Sequence, residues 1–142
     1  MSNELRNKLI SIALEWQERY GVAPQITTPL SEYDAAMLVG VPEQEYSDFM
    51  QDITAVNRGS DFTYKGIRYQ IKGNRPSGKP GSKITKVPKA TNYDWDILIW
   101  VMYDKYYVVQ EAWQWDVEPY KVAFDSKKRL SPNDYRKGKQ LA

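Results

Sequence analysis

The stretch that most limits what this chain can fold into is Ser60 to Gly73, SDFTYKGIRYQIKG. Apolar and polar residues alternate with period two on both sides of Lys65-Gly66, the signature of two half-buried strands. Gly at the second turn position supplies the positive φ that a two-residue hairpin turn requires. That turn sets Tyr64 opposite Ile67, and the same register sets Asp61 opposite Gln70. Phe62, Tyr64, Ile67, Tyr69 and Ile71 then share one face, and Asp61, Thr63, Arg68, Gln70 and Lys72 share the other. A slip of one residue would mix the two sets, so burial of the apolar face fixes the pairing.

The polar face brings a carboxylate, an amide and an ammonium within a few ångströms, since opposed residues have Cβ atoms about 5 Å apart. The same split is also what a hydrated sheet face gives, so alternation alone leaves both readings open. The chemistry available is bounded by what is missing. The chain has no His and no Cys. This excludes Ser-His-Asp and Cys-His nucleophiles, thiolate or imidazole zinc sites and a disulfide framework. Catalysis has to use carboxylates, Lys, Tyr or a hard metal ion bound through oxygen. A carboxylate that can hold Mg²⁺ beside a Lys that can orient a water suits phosphodiester hydrolysis.

The 142 residues fit one domain spanning 1–142. Residues 3–20 have Leu5, Leu9, Ile12, Ala13, Trp16 and Tyr20 at helical spacing, with Ser2 as cap and Gly21 as stop, and so predict an amphipathic helix. A second helix is expected from Thr28-Pro29 or Ser31 to Gly40, giving N-terminal helices over about 3–40, and EQEYSDFMQDI reads as a short acidic helix or an irregular connection. The sheet core is expected over about 60–113. After the hairpin, WDILIWVMY is a continuous apolar run suited to a central strand, a turn at Asp104-Lys105 follows, and YYVVQEAW reads as the next strand. QWDVEPY can open a short helix, and Ser131-Pro132 starts another within a basic C-terminal element over about 121–142. Trp16, Trp95 and Trp100 are assigned to the core or an interface, with Trp113 and Trp115 open. The order predicts an α/β (α+β) fold with a central mixed sheet of four or five strands flanked by helices.

Here the residues carry a resemblance. The hairpin with Asp61 before one strand and Gln70-Ile71-Lys72 on the next, preceded by the helical segment SEYDAA, resembles the PD-(D/E)xK nuclease superfamily, the restriction-endonuclease-like fold. The resemblance runs from about Leu30 to Trp113. Ser60 stands where the family often has Pro, and Gln70 stands where it usually has an acid, making this a Gln-x-Lys variant. What the resemblance implies is a metal-dependent endonuclease, a DNA phosphodiester hydrolase using Mg²⁺ or Mn²⁺ and leaving a 5′-phosphate. Its catalytic set would be Asp61, Gln70, Lys72 and Glu32. Its metal ligands would be Asp61, Gln70, the Ile71 carbonyl and Glu32, with Asp34 a weaker rival to Glu32.

Charge is blocked along the chain. Residues 62–93 carry eight basic and no acidic side chains, while residues 1–61 carry four basic and ten acidic. In an overall charge of only +2, such a block fits a local anion-binding surface and fits equally well a solvated loop. Arg68 on the hairpin and Arg75, Lys79, Lys83, Lys86 and Lys89 in the Gly/Pro-rich segment NRPSGKPGSKITKVPKATN are the candidates to track a DNA backbone. That segment is expected to be a long mobile loop. NRPSGKPGSK lacks the ending of a phosphate-binding P-loop. Two other functions fit the same residues: a catalytically weak nucleic-acid-binding module on this fold, and a protein-interaction domain. The start SNELRNK has no apolar signal region, and no apolar run approaches a membrane span, so the expected location is cytoplasmic with no membrane partner. A homodimer is compatible with the sequence.

Overall fold

A computed structural model describes residues 3–52 and 60–142. Three helices precede the sheet: α1 (Glu4–Tyr20), α2 (Thr27–Leu38) and α3 (Glu43–Gln51). The sheet contains β1 (Phe62–Tyr64), β2 (Ile67–Asn74), β3 (Ile97–Tyr103), β4 (Val109–Asp116) and the two-residue β5 (Lys139–Gln140). Between β4 and β5 lie α4 (Val117–Phe124) and α5 (Pro132–Tyr135). The strands follow chain order, β1-β2-β3-β4-β5. β2 and β3 are parallel and the other neighbours antiparallel. This is the mixed α/β architecture expected, with a sheet flanked by helices.

The hairpin has the expected register over three pairs, Phe62 opposite Tyr69, Thr63 opposite Arg68 and Tyr64 opposite Ile67, but the expected fourth pair, Asp61 opposite Gln70, does not form because Asp61 N–H turns to the Tyr69 carbonyl. Lys65 and Gly66 take φ of 51° and 78°, the paired positive values of a type I′ turn whose twist matches the strands. The five alternating apolar residues join one core with Ile99, Val101 and Tyr103 of β3 and the helices α1 to α3. The opposite face of β3 presents Leu98 and Trp100 to a second core built from Trp95, Tyr120, Phe124, Leu130 and Tyr135. A strand buried on both faces needs apolar residues at every position, which is why ILIWVMY is unbroken.

Four sequence expectations change. The segment expected to be a mobile loop crosses from β2 to β3 and is pinned on the second core. Val87 bridges Leu130 through its backbone, and Ala90 donates its N–H to Tyr120 Oη at 3.0 Å. Val87 is 2% exposed and packs into that core, which the Gly/Pro content had concealed. β4 starts at Val109 because Asp104 Oδ1 caps the N–H groups of Tyr106 and Val108, closing a turn in which Tyr107 takes φ +63°. Arg75 stacks over the Tyr107 ring at 4.2 Å.

The third change concerns α1. Its inward face is Arg6, Ile10, Ala13, Leu14 and Gln17, while Leu5, Leu9, Ile12, Trp16 and Tyr20 are exposed. Apart from Ala13, which is fully buried, the stripe that periodicity selects lies about 100° round the helix from the face that packs. Arg6 can point inward because Asp34, 8% exposed, receives two bonds from it, at 2.7 and 2.8 Å, and a third from Tyr103 Oη at 2.6 Å. Trp16 is therefore not in the core, whereas Trp95 and Trp100 are fully buried. Finally, Asn3 caps α1, accepting from Arg6 N–H at 3.0 Å; the expected cap, Ser2, lies outside the described residues.

Candidate active site

The site begins with an irregularity in the hairpin. β1 starts at Phe62, so the ladder stops opposite Tyr69. Asp61, one residue before the strand, donates its N–H to the Tyr69 carbonyl at 2.7 Å, which places two residues against one in the manner of a bulge. Ile71 lies beyond the end of the ladder, and alternation turns its N–H and C=O to the β1 edge. Asp61 occupies that edge with its side chain. Oδ2 accepts from Ile71 N–H at 2.7 Å and from Gln70 Nε2 at 3.1 Å. A carboxylate thus takes the place that a strand carbonyl would fill, and holds Gln70 beside it.

Gln70 and Lys72 share a side of β2, pairing in register with Leu98 and Trp100 of β3 at the margin of the second core. The ammonium of Lys72 makes no hydrogen bond or ion pair with another side chain among the described residues. Its charge is close enough to favour ionised Asp61. Glu32 arrives from the other layer. α2 packs on β2 where Gly73 leaves room: a Cβ there would lie 2.6 Å from Ser31 Oγ and 2.7 Å from Ser31 Cβ. Glu32, the next residue on α2, is half-buried and within electrostatic range of Asp61. The edge position of Asp61 explains how groups from both sides of the sheet reach it.

The electrostatics are those of two acids sharing too little solvent. Burial, with the neighbouring Asp61 charge adding to it, pushes the Glu32 carboxyl up to about 7. Burial also raises Asp61, against the opposing pull of the Ile71 N–H and the Lys72 charge. Tyr46 of α3 closes the group. Its phenol is raised by burial and then by both carboxylates, and its ring packs edge-on against Phe62 at 6.0 Å and Tyr33 at 5.7 Å. Sequence reasoning missed Tyr46, because α3 has no feature that ties it to the hairpin.

The structure therefore brings together Asp61, Gln70, Lys72 and Glu32, and sets the Ile71 backbone beside Asp61. Asp34 has other partners: it is held by Arg6 and Tyr103 and makes no bond to Asp61, Gln70 or Lys72. The group contains two carboxylates, one amide and a backbone carbonyl. Among the described residues no cluster of three or more acidic, His or Cys side chains is gathered to hold a metal, and position 70 contributes an amide.

The basic candidates divide. Arg75 is committed to Gln17, at 2.8 Å, and to the Lys105 carbonyl as well as the Tyr107 ring. Lys89 donates to the carbonyls of Asp125 and Lys127 at 3.0 and 2.7 Å, closing the end of α4. Arg68 forks onto Asp96, at 3.2 and 3.1 Å, on the exposed surface. Lys79, Lys83 and Lys86 are exposed, and their ammonium groups have no ion-pair partner among the described residues. No protein-family model matches the chain, and no curated protein matches it in sequence.

Proposed function

We propose that this protein is a divalent-metal-dependent nuclease of DNA, with Asp61 at the centre of its site. The observation that carries the reading is the meeting, on one sheet edge, of an edge-held carboxylate, an amide it touches, an ammonium close enough to favour its charge and a second acid raised by burial. Two acids held together with raised pKa values form a site that a cation would stabilise, and every donor present is the hard oxygen that Mg²⁺ or Mn²⁺ takes. Asp61, Glu32, the Gln70 amide oxygen and the Ile71 carbonyl are the residues that would hold it. When bound, the ion supplies Lewis-acid stabilisation of charge on the phosphate oxygens.

The chain's own residues do the rest. Lys72 orients the attacking water and offsets the charge that builds on the phosphate. Asp61, kept in place by the Ile71 N–H, needs no reorganisation to act. Lys79, Lys83 and Lys86 hold the DNA backbone by charge alone, so binding carries no sequence information through them.

The test is nicking of supercoiled plasmid in Mg²⁺ or Mn²⁺ against EDTA. Asp61→Asn keeps an acceptor for the Ile71 N–H while removing the charge, and Lys72→Ala removes the ammonium. Both should lose at least about a hundredfold in rate with unchanged melting temperature. Parent-like nicking by both variants rejects the assignment. The second reading is a binding module on the same fold, favoured by Gln70 leaving the site with two carboxylates. It predicts salt-dependent DNA binding that survives Asp61→Asn, with no metal-dependent cleavage by the parent.

A further inference from the structure

Independently of any activity, we infer that the outer face of α1 pairs with the same face of a second copy, antiparallel, across a two-fold axis. Leu5, Leu9, Ile12 and Trp16 are spaced four, three and four residues apart, the spacing of a coiled-coil seam; Arg19 takes the next seam position and Tyr20 widens the stripe beside it. They are 75, 38, 60, 52 and 61% exposed in chain order. A helix this apolar on the face turned away from its own core has a reason other than folding the monomer, since Arg6, Ala13, Ile10 and Leu14 already hold it to the body of the protein.

Three observations select a second copy in antiparallel orientation. The first is charge. Lys8 and Glu15 border the seam on the same flank, one heptad apart, and neither has an ion-pair partner among the described residues. Antiparallel pairing sets Lys8 of each copy beside Glu15 of the other, giving two opposite-charge contacts, while parallel pairing sets Lys8 beside Ala13 and Glu15 beside Tyr20 and gives none. The second is shape. The register that pairs Leu9 with Ile12 of the other copy also sets Trp16 over Leu5. Beside Leu5 and Leu9 lies an apolar groove of about 390 Å³ that runs to Leu30, Tyr46 and Met50. The Trp16 ring of the second copy has the size and apolar character to fill it. The third is area. The five side chains expose on the order of 500 Å² per copy, so a pair covers roughly 1,000 Å², the lower end of specific dimers. The self-complementary contact closes after two copies and does not propagate.

Sedimentation velocity of the full chain between about 1 and about 200 μM tests this, with an expected Kd on the order of 10 μM. Ile12→Lys, at an exposed position that leaves the monomer folded by circular dichroism, should weaken the dimer at least about tenfold. Lys8→Glu and Glu15→Lys should each weaken it several-fold, and the two together should restore it. A species of 16.5 kDa at every concentration overturns the inference, as does a dimer indifferent to Ile12→Lys. A double exchange that fails to restore the parent Kd overturns the antiparallel arrangement.

Discussion

Glu32 shows how much a single residue can report. Its folded-state pKa of about 7 lies above the ordinary carboxyl value of 4.5, so between those values the folded chain holds a proton that the unfolded chain has lost. Folded stability therefore falls as pH rises through that window and stays lower above it. In EDTA, Glu32→Gln removes the penalty. It should match the parent in denaturant melts at about pH 4 and exceed it by about 2 kcal/mol at about pH 8, a value set by the partial burial. Equal stability at both pH values would mean that Glu32 is solvated. The sequence distinguished Glu32 from Asp34 only by resemblance. The physical difference between them is a partner: Asp34 has Arg6 and Tyr103, and Glu32 has another acid. Partners that are 28 and 69 positions away in the chain leave no local mark in SEYDAA.

Elements were legible wherever one side of them had to be dry and the other wet. The hairpin was read correctly from Phe62 to Tyr69 because Lys65-Gly66 fixed its turn and alternation fixed its faces, but the bulge that replaces the expected Asp61–Gln70 opposition leaves no mark in that alternation. α1 was read as a helix but with the wrong side inward, because hydrophobic periodicity finds a stripe and says nothing about what covers it. The true inner face includes an arginine, which can be buried only because α2 offers Asp34. Arg6→Met should therefore destabilise the fold by about 3 kcal/mol in urea melts, by leaving Asp34 charged and short of two bonds; adding Asp34→Leu should recover part of the loss. The seat of α2 on β2 makes a second prediction. Gly73→Ala drives a methyl into Ser31, whose own Cβ cannot retreat without the helix moving. A loss of about 1–3 kcal/mol is expected, together with a drop in any cleavage activity, because Glu32 moves with Ser31. An unchanged melting temperature would show that α2 yields without strain.

At the scale of the whole molecule, two cores share β3 as their common wall, one under α1 to α3 and one under α4, α5 and the crossing segment. The second core was the less legible half. Its residues Val87, Ala90 and Leu130 stand among Pro, Gly and Lys, where no periodicity marks them as buried. The same segment leaves Lys79, Lys83 and Lys86 outward. On the proposed reading, replacing all three by Ala should weaken binding to a duplex and reduce the slope of log affinity against log salt by about 2 to 3, read by fluorescence anisotropy. An unaltered slope would place the DNA elsewhere. Asp61 has a further consequence for handling the protein. β1 is three residues long, so the amide of Ile71 would lie bare at the rim of the sheet if the Asp61 side chain did not cover it with a negative charge. Shortness and charge at a rim are what keep one sheet from recruiting the next. Truncating Asp61 to Ala strips off both the acceptor and the repulsion, and should raise light scattering on storage above that of the parent, whereas the Asn variant keeps the rim occupied.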